Sequence, residues 1–302
     1  MPLAGSAPSG RSLHVPVLLR ETIQALELAP GLTVVDGTVG AGGHSRVILT
    51  KLDPGGTLIG LDRDAMMLHI AARHLSLPSV HLVQASYAEL PRVLPQLQIP
   101  AVDRLLLDLG YSSDQLADPA RGFSFQADGP LDLRFDPRQG ESAAQLLARV
   151  DEEELADILD RYGEEPHSRR LARQILQHRQ SHPIATSGEL VQAVLGSRRQ
   201  SSQRDERHPA TRIFQALRIA VNHELEHLET TLQSVLSQCL KPGGIAAIIS
   251  FHSLEDRLVK QAFRESKSWQ LLSPKPVAPS AAELRLNPRS RSAKLRAARK
   301  IC

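Results

Sequence analysis

An alternation of strand-like and helix-like stretches limits the fold more than any other feature. It runs to about residue 110, stops between about 116 and 209, and then resumes. "LTVVDGT" (32–38), "GTLIGLDRD" (56–64), "VHLVQAS" (80–86) and "VDRLLLDLG" (102–110) are short, β-rich and bounded by turn residues. Between them, "SRVILTKL" and "DAMMLHIAARHL" have helical spacing. Strands alternating with helices require a mainly parallel sheet covered on both faces, a doubly wound α/β fold. From 116 to 209 only helical patterns occur, with Ser142, Asp151 and Ser187 as start signals and Glu154 three residues after Asp151. A long helix is expected over 210–240, closed by "KPGG", and "GIAAIISF" (244–251) restores the strand pattern. The expected organisation is a lead-in over 1–12, a discontinuous α/β domain over 13–115 and 210–302, and an inserted all-helical domain over 116–209.

The chain of 302 residues is 41% hydrophobic and 23% charged, with no apolar run of about 18 residues, so no membrane span is expected. "MPLAGSAPSGRS" has no apolar core of a secretory signal. Cys239 and Cys302 allow at most one disulfide and no thiolate metal cluster, which suits a reducing cytoplasm. The net charge is +3, yet seven basic residues and no acidic one lie between Leu284 and Cys302. "SRRQSSQRDER" (197–207) is a second basic cluster. Both suit either solubility or a polyanion partner.

"VVDGTVGAGGHS" (34–45) places a glycine turn between the first strand and a helix. A phosphate-cradling loop needs a lysine after its second glycine, and here His44 follows Gly42 and Gly43. The dinucleotide pattern needs a third glycine where Ser45 stands. Asp36, immediately before the turn, would repel a pyrophosphate and attract a cation. Asp62 ends the second strand 20 residues after Gly42, the spacing of an acid that accepts from ribose hydroxyls. These features point to S-adenosylmethionine, a sulfonium carrying a ribose, over either phosphate ligand. Asp108 ends a third strand, so three carboxylates line the sheet edge where open α/β folds bind ligands. The bland alternative has Asp36 and Asp62 merely capping local turns.

"HELEH" (223–227) matches the zinc-protease pattern H-E-x-x-H, and a metalloprotease is the competing reading. The apolar stripe through Ile213, Leu217, Val221, Leu225, Leu228 and Leu232 leaves both histidines on the opposite helix face, and "LETTLQ" follows in place of a third ligand. No metal is expected.

"HVPVLLRETIQAL", "VDGTVGAGGHSRVIL", "RGFSFQADGPLDLRFDP", "HPATRIFQALRIAVNHEL", "KPGGIAAIISFHSLEDRLVK" and "NPRSRSAKLRAARK" resemble, in order, the blocks of the bacterial 16S ribosomal RNA cytosine-N4 methyltransferases, over roughly Leu13 to Lys300. The resemblance implies a class I, Rossmann-like S-adenosylmethionine-dependent methyltransferase with a helical substrate-recognition insert. It implies methylation of N4 of a cytidine in the decoding region of 16S rRNA, with the small ribosomal subunit as partner. Position by position it implies cofactor contacts at Gly42, Gly43, His44, Asp62, Tyr87, Asp108 and Gln115, beside Asp36. Tyr111 departs from the small aliphatic residue usual there. Asp108 is the expected catalytic group, with His252 in "SFHSLEDR" as a second candidate whose alternative is a turn histidine. Tyr111, Arg121, Phe123 and Phe125 are candidate substrate contacts, since an unstacked base can be held by aromatic rings. A methyltransferase acting on another nucleic acid or on protein, and a ribosome-binding module without catalysis, are the alternatives.

Overall fold

A computed structural model describes residues 16–124, 128–196 and 208–301. Within them one sheet is built from β1 (Thr33–Asp36), β2 (Thr57–Asp62), β3 (Val80–Gln84), β4 (Val102–Asp108), β5 (Leu240–Ser250), β6 (Trp269–Leu271) and β7 (Lys294–Lys300). The strand order is β3-β2-β1-β4-β5-β7-β6. β1 to β5 are parallel, and β7 runs antiparallel between β5 and β6.

Alternate residues of each central strand enter opposite cores, which is why these strands read as continuous apolar runs. Val35, Ile59, Leu105 and Leu107 face the helices Leu90–Gln96 and Ser253–Glu265. Val34, Leu58 and Leu106 face the other layer, with Ile48 and Leu52 of the helix Gly43–Leu52. The five strands expected from the sequence are all present. β6 and β7 were not expected, because "KLRAARK" reads as a basic tail. Its Leu295 and Ala297 enter one core and Ala298 the other. Its charges are absorbed internally: Arg296 and Lys294 pair with Asp256 at 2.6 and 3.0 Å, Arg299 pairs with Glu27 at 2.7 Å, and Lys300 Nζ donates to the carbonyls of Ser237 and Leu240.

The helices Ala143–Arg149, Glu152–Gly163, Ser168–Ser181 and Ser187–Leu195 surround a third core. Ser142 and Asp151 cap the first two as expected, accepting from Gln145 N and Glu154 N. The fourth begins one residue earlier than expected: Thr186 is the cap, reciprocated by Glu189, and Ser187 lies inside the helix.

The long helix expected over 210–240 is broken. Ala210–Asn222 ends at His223, which takes a left-handed conformation with φ 51°. Glu224–Thr230, a wide turn at Thr231–Val235 and Leu236–Cys239 follow. The apolar stripe changes partner at the break: Ile213, Leu217 and Val221 fill the helical core, whereas Leu228, Leu232 and Val235 fill the sheet's core. One straight helix could not serve both. The segment 210–222 therefore packs with the helical unit, and the chain rejoins the sheet at 223. No helix among the described residues is long and apolar enough to cross a membrane.

Candidate active site

The carboxyl ends of β1, β2 and β4 bring the glycine turn and three aspartates together. Gly37 N and Val39 N donate to Leu106 O and Leu61 O, pinning the turn across both neighbouring strands. Gly40 and Gly42 have φ of 50° and 86°. The φ of Gly42 favours glycine, and a Cβ there would also lie 3.0 Å from Leu75 Cδ1, a crowding that the buried leucine must yield to.

Asp36 is buried beneath the turn, with Oδ2 accepting from Ser45 Oγ at 2.7 Å and Oδ1 from Thr38 N at 3.2 Å. Burial pushes its pKa up to about 6 despite these bonds. Asp62 accepts from Gly40 N at 2.9 Å and Asp64 N at 2.8 Å, and burial pushes it up to about 7. Asp108 rises well above the carboxylate range, through burial first and then the charges of Asp36 and Glu255. Its Oδ1 is buried without a hydrogen-bond partner, and its Oδ2 lies 3.5 Å from His44 Nδ1. His44 Nε2 lies 3.0 Å from Val17 O; a carbonyl only accepts, so Nε2 carries a proton and Nδ1 faces Asp108.

Tyr87 opens a short turn after β3, capped by Ser86 and Glu89. Its ring meets His227 edge-on, and burial, then the charges of Glu224 and Glu255, hold its hydroxyl above the ordinary tyrosine range. Gln115 is buried, its Oε1 accepting from Ser112 N and its Nε2 donating to Asp64 Oδ2 at 2.9 Å.

The candidates for substrate contact divide. Tyr111 is 41% exposed, stacks on Phe123 with ring centroids 5.4 Å apart, and has the Arg218 guanidinium 5.1 Å from its centroid. Phe123 is 5% exposed and belongs to the helical core, stacked in turn on Phe135. Arg121 is buried in an ion pair with Asp64 at 2.6 Å. Neither is the open contact expected, because apolar packing claims one and a buried carboxylate the other. Phe125 lies outside the described residues, as does the basic cluster 197–207.

His252 caps the helix Ser253–Glu265, its Nδ1 facing Glu255 N and its Nε2 lying 3.2 Å from Glu255 Oε1. Glu255 is held below its ordinary range by His252 and Arg218, which outweigh its burial. His252 thus caps the helix through Nδ1, while its Nε2, close to Glu255, is buried without a hydrogen bond. The two histidines of "HELEH" do not share a helix face: His223 forms the left-handed break, and His227 Nδ1 lies 2.8 Å from Ser86 Oγ. Among the described residues no group of three His, Cys, Asp or Glu is placed to hold a metal ion.

Sequence reasoning missed Asp64, Arg218, Asn222, Glu224 and Glu255. Arg218 and Glu224 pair in two places, at 2.8 and 2.9 Å, only because the break at His223 turns the chain back. A continuous helix would have put residues six apart on different faces.

A doubly wound parallel sheet with an antiparallel β7, a glycine turn after β1 and acids ending β1, β2 and β4 defines a class I S-adenosylmethionine-dependent methyltransferase. The chain belongs to the MraW methylase family, whose model matches residues 11–301. Among curated proteins, ribosomal RNA small subunit methyltransferase H of Sorangium cellulosum is 48% identical over 293 residues, covering 95% of this chain and 91% of that protein. The protein of the same name from Magnetococcus marinus is 45% identical over 321 residues, covering 95% and 98%. Among solved structures, an rRNA methylase from Streptococcus thermophilus aligns at 11% identity with a TM-score of 0.41, covering 94% of this chain and 95% of that one.

Proposed function

We propose that this protein methylates the exocyclic N4 of a cytidine in the decoding region of 16S rRNA, acting on the small ribosomal subunit in the cytoplasm. Family membership and the names of the relatives support the rRNA substrate. The observation that carries the chemistry is the buried, unpartnered Oδ1 of Asp108 at the end of β4, three residues before exposed Tyr111. A buried acceptor left unsatisfied by its own protein implies an incoming donor, and an amino group is such a donor.

The residues present fit S-adenosylmethionine. The left-handed glycines bare the backbone of the turn, and three carboxylates suit a ligand with ammonium and sulfonium charges and ribose hydroxyls. Gly42, Gly43, His44, Asp62, Tyr87, Asp108 and Gln115 are assigned to hold it, with Asp36 setting the turn from below. When bound, the cofactor supplies an electrophilic methyl group. The cytosine amino group is a weak nucleophile, because its lone pair is delocalised into the ring. Asp108 Oδ1 accepts its N–H, orients the nitrogen and stabilises the positive charge that develops there. In the ionised form that a bound cation favours, Asp108 takes the proton as that nitrogen becomes acidic, with His44 Nδ1 3.5 Å from its Oδ2. His252, whose Nδ1 faces Glu255 N, is assigned to the helix cap. Tyr111 is assigned to the border of the base pocket, and the helical unit, residues 116–222, to recognition of the surrounding RNA.

The test is incubation with labelled S-adenosylmethionine and small-subunit particles, followed by mapping of the modified nucleotide. Label at N4 of one decoding-region cytidine is expected, and Asp108→Asn should lower kcat by about 100-fold. Label on protein or on another base overturns the substrate assignment; full turnover by Asp108→Asn overturns the mechanism.

A further inference from the structure

Arg121 ends a hydrogen-bonded chain that begins at the glycine turn. Gly40 N and Asp64 N occupy the two oxygens of Asp62. The side chain of Asp64 turns the chain outward: Oδ1 caps the helix Ala65–Ala72 through Met66 N at 2.9 Å. Its Oδ2 receives both Gln115 Nε2 at 2.9 Å and Arg121 Nη1 at 2.6 Å. With Oε1 held by Ser112 N, the Gln115 amide cannot turn without breaking a charge-assisted bond. It keeps one Nε2 hydrogen and one Oε1 lone pair for a ligand.

The same guanidinium, on a residue of the helical unit, also braces the backbone of that unit. Arg121 Nη2 donates to the carbonyls of Arg134 and Phe135, each at 2.9 Å. That segment is locked to the end of the helix Ala210–Asn222, since Phe135 N donates to Asn222 Oδ1 at 2.7 Å and Asn222 Nδ2 donates to Leu133 O at 2.7 Å. Arg121 Nε is buried with no hydrogen-bond partner. Burying a guanidinium with one donor unsatisfied is a costly way to fill space, and apolar side chains of similar volume stabilise a core as well or better. Directional restraint of Asp64, Gln115 and the 134–135 backbone is what this side chain achieves and an apolar one would not.

We infer that Arg121 is a positioning residue for cofactor binding: through Asp64 it fixes the Gln115 amide, and through two carbonyls it ties that pose to the seating of the helical unit. The inference rests on the proposed placement of Gln115 at S-adenosylmethionine. It requires Arg121 to influence cofactor affinity by way of Gln115, not independently.

The experiment is calorimetric titration of S-adenosylmethionine into the full chain as wild type, Arg121→Lys, Gln115→Ala and the double variant, with thermal unfolding of each ligand-free protein as the control for folding. Lysine keeps the charge but presents a single ammonium, which cannot hold Asp64 Oδ2 in place while satisfying the two carbonyls, so the restraint on Asp64 is loosened. Arg121→Lys and Gln115→Ala should each weaken binding roughly tenfold, and the double variant should bind no more weakly than Gln115→Ala. Unchanged affinity in Arg121→Lys, or losses that multiply in the double variant, overturns the inference. If Arg121→Lys fails to fold, Asp64→Asn replaces it in the same cycle, since asparagine retains an oxygen for the helix cap. Unchanged affinity or multiplying losses overturn the inference there too. Wild-type protein that does not bind the ligand would instead overturn the proposed function.

Discussion

Arg218 and Glu224 face each other across the break at His223 as a buried, two-pronged ion pair, Nε to Oε1 at 2.8 Å and Nη2 to Oε2 at 2.9 Å. The pair joins the last helix of the helical unit to the first helix that packs on the sheet, and the Arg218 guanidinium also covers the Tyr111 ring. Neutralising Glu224 leaves Arg218 buried without its hydrogen-bonded carboxylate, with the charge of Glu255 still nearby, which costs more than the intact pair contributes. Glu224→Gln should therefore lower stability by about 3 kcal/mol, read from urea unfolding. A loss below about 0.5 kcal/mol would show that water reaches the pair in solution.

Gly42 tests the turn without touching a charged group. Alanine there must adopt φ 86° and place its Cβ 3.0 Å from Leu75 Cδ1. The expected cost is about 1–2 kcal/mol in stability, with a parallel loss of S-adenosylmethionine affinity measured by calorimetry. Gly31→Ala is the control: it shares a positive φ of 80° but meets nothing within 4 Å, so it should lose stability and keep ligand affinity.

Much of the sheet was legible because β1, β2, the centre of β4 and the second half of β5 are apolar on both faces, and β3 is a short β-rich run bounded by turn residues. β7 was not legible, because its charges are neutralised by Asp256 and Glu27 from distant parts of the chain. Asp36, Asp62 and Asp108 could be placed from strand ends alone. Arg121 and Phe123 could not be judged, because exposure and burial in loops depend on partners such as Asp64 and Phe135. The helix break at His223 was hidden as well. A non-glycine residue in the left-handed region carries no local signal, and the only hint was an apolar stripe too long to serve a single core. His223→Gly should relieve the conformation and leave stability unchanged or raise it by up to about 1 kcal/mol, measured by thermal unfolding.

The raised carboxylates give the ligand-free protein a specific pH response. Burial pushes the Asp36 and Asp62 carboxyls up to about 6 and about 7 in the folded chain, against the ordinary 3.8 of a solvated aspartate. Between those limits the folded chain holds protons that the unfolded chain has released, so stability falls as pH rises. Relative to Asp62→Asn, wild-type stability should decline from about pH 4 to about pH 7 and then level off. A cationic ligand favours the ionised carboxylates, so S-adenosylmethionine should bind with proton release near about pH 6, measured by calorimetry in buffers of different ionisation enthalpy. A stability difference independent of pH would mean that Asp62 is hydrated and ordinary.

The basic C-terminal segment separates charges that hold the fold from charges free to meet RNA. Arg296 is buried against Asp256 and Lys300 is bonded to two carbonyls, so neither can neutralise a phosphate without unpacking β7. Arg285, in the helix Ala281–Leu286, and Arg289, in the short helical turn Pro288–Ser292, are exposed before that strand. If this face touches rRNA, each exposed arginine releases counterions on binding, whereas a buried one does not. Arg285→Ala with Arg289→Ala should flatten the plot of log affinity against log salt by roughly 1–2 units and leave the unfolding temperature unchanged. Arg296→Ala should do the reverse, lowering the unfolding temperature with the salt slope intact. Equal slopes for wild type and the double variant, measured by RNA filter binding across a salt series, would move the RNA contact off this face.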